Sequence, residues 1–507
     1  MTDRTAPILN VLLASVLAAS LVACGSGSSS STASAPGNNG GLDCFATGAT
    51  VTNTIEGSGI ALFYNAIMYP SNTNMGTPWT FLQPAALDLK GTPSYNYATC
   101  SAKYDTIINT VIAQDRNKNG TLSDGSNDSY AALRSAVARS TAPFVGLDTF
   151  YYAANDLGVG VSTGLSSAQF QAALSRKCSG TVSGVDIQAT GVCANGTYMN
   201  NFLWRANGLF IDNVSADFVG VQPSNSVNGN PGLTWTRGYL LQKYSNRSPG
   251  TQIYTAVFDA GSSGTRVSLY EVIPGLKASI TPIGNTKKYK DSGINDFMSG
   301  NGTIAVGTGK NELPTLPANC SGTTGLGQSQ VGPCVLQPLL DYVTTQLPTG
   351  VNATDVKVEL FATAGMRTED IKNGGAFTTA QITNFYDNIM KLYVRSTPLS
   401  GGAVYSNVGE FKTINGNSEE GVWSWINLND VYYDTFATPD VCGSNQIGDF
   451  EVGGSSMQVA FPVNSTPTES GNVYNVNING CSINVYSKTF LGLGGDDARK
   501  FMRAYNY

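Results

Sequence analysis

Two short segments of the chain combine a carboxylate with glycine and serine, residue types that together can hold a phosphate and a cation. One runs Asp-Ala-Gly-Ser-Ser-Gly-Thr-Arg from Asp259 to Arg266, and the other runs Glu-Val-Gly-Gly-Ser-Ser-Met-Gln from Glu451 to Gln458. A Gly/Ser hairpin tip turns backbone N–H groups toward one point, which suits a phosphate. A carboxylate beside the tip repels phosphate unless a cation lies between them. We therefore predict that Asp259 and Glu451 act on a divalent metal through its bound water.

The sequence contains no histidine, which excludes Ser-His-Asp and Cys-His catalysis and His-ligated zinc. Any base must be Asp, Glu, Lys, Tyr or Cys. Phosphoryl transfer to water needs such a base and a positioned water. Glu420, followed by Gly421 in a stretch with two tryptophans, is the candidate. Each segment alone is more often a plain turn or a helix start, so the prediction rests on their joint order.

The elements that must position these residues alternate between strands and helices. Apolar runs predict strands at Ile253–Phe258, Val267–Val272 and Val356–Ala362, and an amphipathic pattern predicts a helix over Thr379–Tyr393. The segment Gly416–Asn429 is interpreted as a loop that enters a helix. Two similar hairpins far apart in sequence suggest two related α/β lobes.

The order of these segments resembles the motifs of the apyrase family, the ecto-nucleoside triphosphate diphosphohydrolases. The five matching segments, the last of them loose, are Asp259–Arg266, Ala362–Arg367, Glu420–Asn429, Glu451–Gln458 and Tyr486–Gly494. Two departures stand out. Glu451 replaces the family's Asp and could shift the metal, and Lys488 replaces a His in the fifth motif.

The resemblance implies two actin-like (ribonuclease H-like) α/β lobes with a nucleotide cleft between them, and a Ca²⁺ or Mg²⁺ cofactor. It implies that Glu420 is the general base and that Thr363 and Gln458 position the attacking water. The implied phosphate-binding residues are Ser262, Ser263, Gly264, Thr265 and Arg266 in the first loop and Gly453, Gly454, Ser455 and Ser456 in the second.

The first half of the chain resembles the part of that family's sequence that lies after the fifth motif, so we interpret the chain as a circular permutant. In particular, Phe144–Tyr152 resembles the family's Phe-x-Ala-Phe-Ser-Ala-Phe-Tyr-Tyr, and it places Tyr151 and Tyr152 at the nucleotide base. The other segments that carry this resemblance are Asp43–Gly48, Tyr95–Cys100, Lys177–Tyr198 and Trp235–Leu241. The alternatives are an unrelated N-terminal domain and aromatic residues that serve only core packing.

These interpretations divide the chain into five parts. Residues 1–24 are a signal, 25–41 a flexible tether, 42–214 part of the second lobe, 215–416 the first lobe, and 417–507 the remainder of the second lobe. The signal ends in Leu-Val-Ala-Cys at Cys24 after an apolar run, which resembles a bacterial lipoprotein signal; an ordinary secretory signal is the alternative. We expect an exported protein that is lipid-anchored at Cys24, in the periplasm or on the cell surface.

The remaining eight of the nine cysteines predict disulfides, because the protein is expected to be exported. The resemblance implies the pairs Cys44–Cys100 and Cys178–Cys193. Closeness in sequence suggests Cys320–Cys334 and Cys442–Cys481. Separately, Asp115–Asp124 resembles a calcium-binding loop, although it lacks the final Glu, and a polar surface turn is the alternative.

Together these features predict an enzyme that hydrolyses nucleoside tri- and diphosphates. Two alternatives remain: a lipoprotein that binds nucleotide without turnover, and another actin-like phosphohydrolase such as an exopolyphosphatase. The net charge of −6 gives no reason to expect nucleic-acid binding. We expect a monomer.

Overall fold

The computed structural model of the protein describes most of the chain from residue 97 to residue 497. The described residues are 50–52, 88–90, 97–114, 130–159, 165–178, 187–205, 208–210, 218–221, 233–262, 264–288, 293–304, 313, 315, 320, 323–371, 375–389, 404–431, 441–464, 472–495 and 497. The predicted calcium loop, the signal, the tether, Cys44 and Ser263 lie outside this set.

The strands, in chain order, are β1 Thr50–Thr52, β2 Asp88–Lys90, β3 Phe144–Asp148, β4 Phe218–Val221, β5 Ile253–Gly261, β6 Gly264–Ile273, β7 Ser279–Lys288, β8 Val356–Ala362, β9 Val408–Thr413, β10 Gly448–Val452, β11 Ser456–Pro462, β12 Val473–Ile478 and β13 Cys481–Leu491. The helices are α1 Tyr97–Gln114, α2 Tyr130–Arg139, α3 Thr149–Leu157, α4 Ser167–Cys178, α5 Ile187–Trp204, α6 Trp235–Tyr244, α7 Ile294–Met298, α8 Gln328–Val331, α9 Gln337–Gln346, α10 Ala364–Glu369, α11 Thr379–Ile389 and α12 Val422–Val431. π-Helical turns at Gly332–Leu336 and Gly416–Gly421 precede α9 and α12.

Lobe I is built around a five-stranded sheet with the order β7-β6-β5-β8-β9. β5, β6 and β7 pair antiparallel, whereas β8 and β9 run parallel to β5. One face packs on α9 and α11 through apolar residues such as Phe258, Leu360 and Phe385. Because β5 and β8 are covered on both faces, they read as nearly continuous apolar runs, as the sequence predicted.

Lobe II is built around a six-stranded sheet with the order β12-β13-β11-β10-β3-β4. β10, β11 and β13 pair antiparallel, and β3 and β4 run parallel to β10. The two ends of the described chain therefore meet in one sheet. Helices α1 and α5 pack against the same lobe, where the Tyr198 hydroxyl donates to the carbonyl of Leu493 at 2.7 Å.

The two sheets share one arrangement of strands. In lobe I, β6 and then β7 lie on one side of β5 in antiparallel pairing, and β8 and then β9 lie on the other side, parallel to β5. In lobe II, β11 and then β13 lie on one side of β10 in antiparallel pairing, and β3 and then β4 lie on the other side, parallel to β10. The predicted two-lobed α/β class is confirmed, and the sheets are consistent with actin-like lobes.

Helices α6 and α12 lie between the two sheets and form the core that joins the lobes. Their aromatic residues pack together, with the tilted rings of Tyr239 and Trp423 4.9 Å apart between centroids. Gly238 permits this close crossing, since a Cβ there would overlap the carbonyl of Trp423. Arg237 on α6 also pairs with Asp430 on α12 at 2.6 Å. The lobes therefore share one packed centre.

Three of the predicted disulfides are confirmed: Cys178–Cys193, Cys320–Cys334 and Cys442–Cys481. Cys100 is also disulfide-bonded, and its predicted partner Cys44 lies outside the described residues. Among the helices that the structure describes, none is long and apolar enough to cross a membrane.

Candidate active site

The first Gly/Ser segment forms the turn between β5 and β6. Asp259 lies opposite Arg266 across this hairpin, and the Arg266 guanidinium approaches its carboxylate at 3.3 Å. Asp259 is buried, whereas Arg266 is half-exposed. Gly264 has φ 136°, which residues with a side chain rarely adopt. Ser262 is half-buried and Thr265 is buried on either side of this turn.

The second segment forms the corresponding turn between β10 and β11 in lobe II. Glu451 lies opposite Gln458, as Asp259 lies opposite Arg266 in lobe I. The turn is closed by a hydrogen bond from the Gly453 amide to the carbonyl of Ser456 at 3.0 Å. Gly494 packs directly on this loop, where a Cβ would overlap the carbonyl of Gly454. Both predicted phosphate loops therefore stand at equivalent points of the two lobes.

Glu420 stands on the π-helical turn before α12, and its side chain is buried. The turn begins at Asn415, whose side chain accepts hydrogen bonds from the amides of Asn417 and Ser418 at 2.9 and 3.0 Å. The neighbouring Glu419 points elsewhere and pairs with Lys412 at 2.8 Å. The structure thus separates the two adjacent glutamates into a buried group and a partly exposed, ion-paired group.

Arg367 connects Glu420 to the second phosphate loop. Its guanidinium lies 2.7 Å from the Glu420 carboxylate and 3.3 Å from the Ser456 hydroxyl, to which it donates. A third hydrogen bond, to the carbonyl of Ile414 at 3.1 Å, fixes it at the end of β9. The Gln458 amide donates to the same Ser456 hydroxyl at 2.7 Å. One buried network therefore brings Glu420 and Gln458 together from different elements.

Thr363 lies at the start of α10, at the carboxyl end of β8. Its amide donates to the carbonyl of Ala260, at the tip of the neighbouring strand β5, at 3.1 Å. Its side chain makes no capping hydrogen bond with the helix, which leaves the hydroxyl available for a ligand. Thr363 is buried beside the first phosphate loop, where a residue that positions water is expected.

Burial raises the pKa values of the carboxyl groups in this region. The pKa of Asp259 is raised to about 6, chiefly by desolvation and further by the charges of Glu420 and Asp148, while Arg266 opposes the rise. Desolvation also raises the pKa of Asp449 to about 7 and that of Glu451 well above its usual range. Loss of water and mutual repulsion therefore disfavour several negative charges here, and a bound cation would offset both effects.

Tyr151 and Tyr152 lie in the first turn of α3, next to the carboxyl end of β3. Their rings meet edge to face with centroids 5.2 Å apart. Tyr152 is 42% exposed, whereas Phe150 before them is fully buried in the core. The aromatic cluster of the sequence thus divides into one packing residue and two rings that reach solvent.

Residues 328–506 match the GDA1/CD39 (nucleoside phosphatase) family. The chain is similar to that family over 179 of its 507 residues. The match includes Thr363, Glu420 and the second phosphate loop, whereas the first phosphate loop precedes it. The match covers the second to fifth motifs of the predicted resemblance to the apyrase family and supports that resemblance there.

Two curated proteins that are similar to this chain are named as a nucleoside-triphosphatase and a probable apyrase. The chain is 29% identical to nucleoside-triphosphatase ntp-1 of Caenorhabditis elegans over 259 residues, which are 49% of this chain and 39% of that protein. It is 26% identical to the protein described as "Probable apyrase 7" of Arabidopsis thaliana, over 50% of this chain and 30% of that protein. The chain thus spans two-fifths or less of the length of these two relatives.

Solved structures give weaker similarities. A nucleoside triphosphate hydrolase structure from Neospora caninum is 17% identical with a TM-score of 0.30, covering 49% of this chain and 46% of that one. The PPX-GPPA enzyme of Aquifex aeolicus is 14% identical with a TM-score of 0.23, covering 47% of this chain and 52% of that one.

Some residues of this site were not singled out from the sequence. Arg367 is the last residue of the second motif, but its role comes from its contacts with Glu420 of the third motif and Ser456 of the fourth. Asp449 lies two residues before Glu451, and strand alternation could have placed both on one face. In the predicted resemblance of Phe144–Tyr152 to the apyrase family, Asp148 replaces a Ser.

The cation that the family resemblance implies fits the residues present. Asp259 and Glu451 carry hard oxygen atoms that could serve as ligands, and Asp449 is buried two residues before Glu451 on the same strand. In the described part of the chain, no group of three or more Asp, Glu or Cys side chains is arranged to hold a metal ion.

A further buried carboxyl group lies behind the first phosphate loop. Glu369 on α10 is 1% exposed and accepts a hydrogen bond from Asn295 at 3.5 Å, while Asn295 also donates to Asp296 at 3.0 Å. Desolvation, with a smaller contribution from the charge of Asp296, raises the pKa of Glu369 to about 8. A pKa of about 8 favours the protonated form of this carboxyl group at neutral pH.

This proton makes stability depend on pH in a defined direction. The unfolded chain releases it above roughly pH 4–5 and the folded chain near pH 8, so stability falls as pH rises through this window. Glu369→Gln cannot ionise, and we expect it to reduce the fall in unfolding free energy between about pH 5 and pH 8. Urea denaturation at several pH values measures this. Glu271→Gln on β6, whose side chain reaches solvent, is the control; parallel pH profiles for wild type and Glu369→Gln would contradict the assignment.

Proposed function

We propose that the protein hydrolyses nucleoside tri- and diphosphates in the cleft between the lobes, with a divalent cation and a water activated by Glu420. The observation that carries this proposal is the network from Glu420 through Arg367 to Ser456 and Gln458. It joins the candidate base to one of two equivalent loops suited to phosphate. The family match and the names of the curated relatives support the nucleotide as substrate.

The proposed roles are assigned from position. Glu420 accepts a proton from the water while Arg367 holds its carboxylate in one orientation. Gln458 and Thr363, from opposite lobes, orient that water. The backbone amides of the two glycine-rich turns bind phosphate oxygens, as amides at hairpin tips can. Tyr151 and Tyr152 offer exposed faces on which a nucleotide base can stack.

The cation would be held through its water by Asp259 in lobe I and Glu451 in lobe II. A bound Ca²⁺ or Mg²⁺ would neutralise charge on the transferred phosphoryl group. The carboxylates themselves orient the water shell and tie the two lobes to one ligand. The length of Glu451, one methylene more than the family's Asp, extends its reach from β10.

Nucleotide binding without turnover and exopolyphosphatase activity remain the competing functions. A buried carboxylate at Glu420 favours hydrolysis over binding alone, because burial of a charge without a role is costly. Phosphate release from ATP, ADP and polyphosphate, each with Ca²⁺ or Mg²⁺ and then with a chelator, separates the three functions. The proposed function requires release from both nucleotides and its loss with the chelator.

Substitution of the candidate base gives a sharper test. Glu420→Gln keeps the size and hydrogen-bonding capacity of the side chain but cannot accept the proton. We expect turnover to fall on the order of a hundredfold or more while nucleotide still binds. Glu419→Gln is the matched control, since Glu419 pairs with Lys412 instead, and should lose far less activity. Near-normal phosphate release by Glu420→Gln would refute the assignment.

We also propose the circular permutation of the family's chain order. The strands of lobe II follow the same chain order as those of lobe I only if β3 and β4 are counted as coming after β13 along the chain. This supports the proposal. The new connection would run over residues 242–251, of which 246–250 are exposed. The permutation also predicts that Tyr505 lies near Asp43, and both residues lie outside the described part of the chain.

Restoring the family's order in the gene tests this arrangement. Variants would join Tyr507 to Leu42 by glycine-serine linkers of several lengths and open the chain between Ser248 and Pro249. Because the contacts of the two sheets are unchanged, we expect phosphate release and the three disulfides to persist. Loss of both at every linker length would contradict the permutation.

The predicted lipid anchor at Cys24 completes the proposal, with the protein exported to the periplasm or the cell surface. The confirmed disulfides support an oxidising compartment. Detergent phase partitioning of the protein from its native cells tests the anchor: wild type should enter the detergent phase and Cys24→Ala the aqueous phase. Identical partitioning of the two would exclude lipidation at this residue.

A further inference from the structure

The turn that carries Glu420 is wound differently from the helix that follows it. Residues Gly416–Gly421 form a π-helical turn, in which the Glu420 amide donates to the carbonyl of Asn415 at 2.9 Å. Such turns are rare, occur mostly as single turns and are frequent at functional sites. Rewinding as a regular α-helix would change the direction of the Glu420 side chain by up to one residue's rotation, about 100°. Contacts from outside the turn are therefore needed to hold it.

Asn417, the second residue of this turn, is fully buried and bonded to strand β13 of lobe II. Its side-chain oxygen accepts a hydrogen bond from the Thr489 amide at 2.8 Å, and its side-chain nitrogen donates to the Asn472 side chain at 3.4 Å. A buried backbone amide needs an acceptor, since leaving it unpaired is costly. The Asn417 side chain thus serves β13 as the carbonyl of a neighbouring strand would.

The register of the sheet shows that Asn417 continues the bonding pattern of a strand. β12 pairs with β13 up to Tyr486, and the Ser487 amide then donates to the carbonyl of Asn472 at 2.8 Å. Two residues further on, the Thr489 amide points to the same side of β13, and its acceptor is the Asn417 side chain. The π-helical turn is therefore docked where the pairing with β12 ends.

Two glycines let the turn lie directly on β13. A Cβ on Gly416 would overlap the Thr489 side chain, and a Cβ on Gly421 would overlap the Ser487 hydroxyl. Larger residues at either position would push the turn away from the strand. Asn417 adds a directional hydrogen bond to these close contacts, so the turn is fixed along the strand as well as in its distance from it.

The same point of β13 lies beside the proposed water-positioning residue. Thr489 is opposite Gln458 in the antiparallel pairing of β13 and β11. Residues directly opposite in such a pair have Cβ atoms about 4.5–5.5 Å apart and share one face of the sheet. The Asn417 contact therefore sets the turn at the level of Gln458, while Arg367 holds the Glu420 carboxylate from lobe I.

We propose that Asn417 is a positioning residue: by accepting the Thr489 amide, it holds the π-helical turn in place and so sets the position of the Glu420 carboxylate relative to Gln458. Asn417 acts through Glu420 and is assigned no contact with the substrate. The inference rests on the proposed function for the role of Glu420, and it names the lobe II contact that places this base. A misplacement of about 1 Å can cost on the order of a hundredfold in rate.

The test compares Asn417→Ala and Asn417→Asp in the full chain. Asn417→Ala removes the acceptor, and we expect kcat for ATP to fall about tenfold or more while KM stays within about twofold of wild type. Asn417→Asp keeps an oxygen for the Thr489 amide, so it should retain more of the turnover than the alanine variant.

Asn201→Ala is the matched control. Asn201 is another buried asparagine of lobe II, and its side chain donates to the carbonyl of Ser101 at 2.6 Å, between α5 and α1. Its loss should lower the melting temperature, as the loss of Asn417 should, because both changes leave buried backbone groups without a partner. Assayed well below these melting temperatures, Asn201→Ala should keep the wild-type kcat.

Amide hydrogen exchange of the nucleotide-free protein gives a readout that does not depend on turnover. Asn417→Ala should speed exchange in the π-helical turn and in residues 487–491, whereas Asn201→Ala should leave both segments unchanged. Wild-type kcat or unchanged exchange in Asn417→Ala, equal kcat losses in the two Asn417 variants, or an equal loss in Asn201→Ala would overturn the proposal. If wild type releases no phosphate but Asn417→Ala speeds exchange in both segments, Asn417 keeps its role in placing Glu420 and the proposed function fails.

Discussion

The buried ion pair between Arg367 and Glu420 is the contact on which the arrangement of the cleft depends. It joins a residue of lobe I to the turn before the central helix α12, and the same guanidinium reaches Ser456 in lobe II. Removal of one partner from such a pair leaves an unpaired buried charge, which typically costs about 3–5 kcal/mol. The candidate base and the second phosphate loop are therefore held by one side chain.

The acidity of the cleft is a second constraint. Burial and mutual repulsion raise the pKa values of Asp259, Asp449 and Glu451. A fold keeps such groups together at a cost in stability, and function at a ligand site is the usual reason. A divalent cation would reverse the cost by favouring the ionised forms. The same desolvation at Glu369, behind the first phosphate loop, produces a proton-binding group without an obvious ligand.

The two lobes differ in how far apart along the chain their paired strands lie. Strands β5 to β9 of lobe I follow one another, whereas lobe II closes only when β3 and β4 pair with strands near the other end. The pairing of Phe144 with Gly448 spans most of the described chain. Such non-local contacts carry a large loop-closure entropy and slow folding. The central helices α6 and α12, packed between both sheets, join the lobes despite this separation.

The sequence by itself determined the parts of this protein that depend on local pattern. The strand Val356–Ala362, the two Gly/Ser hairpins and the disulfides Cys320–Cys334 and Cys442–Cys481 were predicted from short segments, because apolar runs, turn chemistry and closeness in sequence act over few residues. The pair Cys178–Cys193 was implied by the resemblance to the apyrase family. The predicted helix Thr379–Tyr393 is confirmed over Thr379–Ile389, and residues 390–393 lie outside the described residues. The predicted loop before α12 is a π-helical turn, since its geometry is set by Asn415 and by packing.

Only the tertiary structure decided which of these residues meet. Arg367 and Asp449 belong to familiar patterns in the sequence, but their roles come from neighbours supplied by other elements. Asp148 is an ordinary aspartate in sequence, and the turn between β3 and α3 gives it a strained backbone within range of charges from both lobes. Distance in space, loss of water and the sum of nearby charges are properties of the folded chain, so no local pattern contains them.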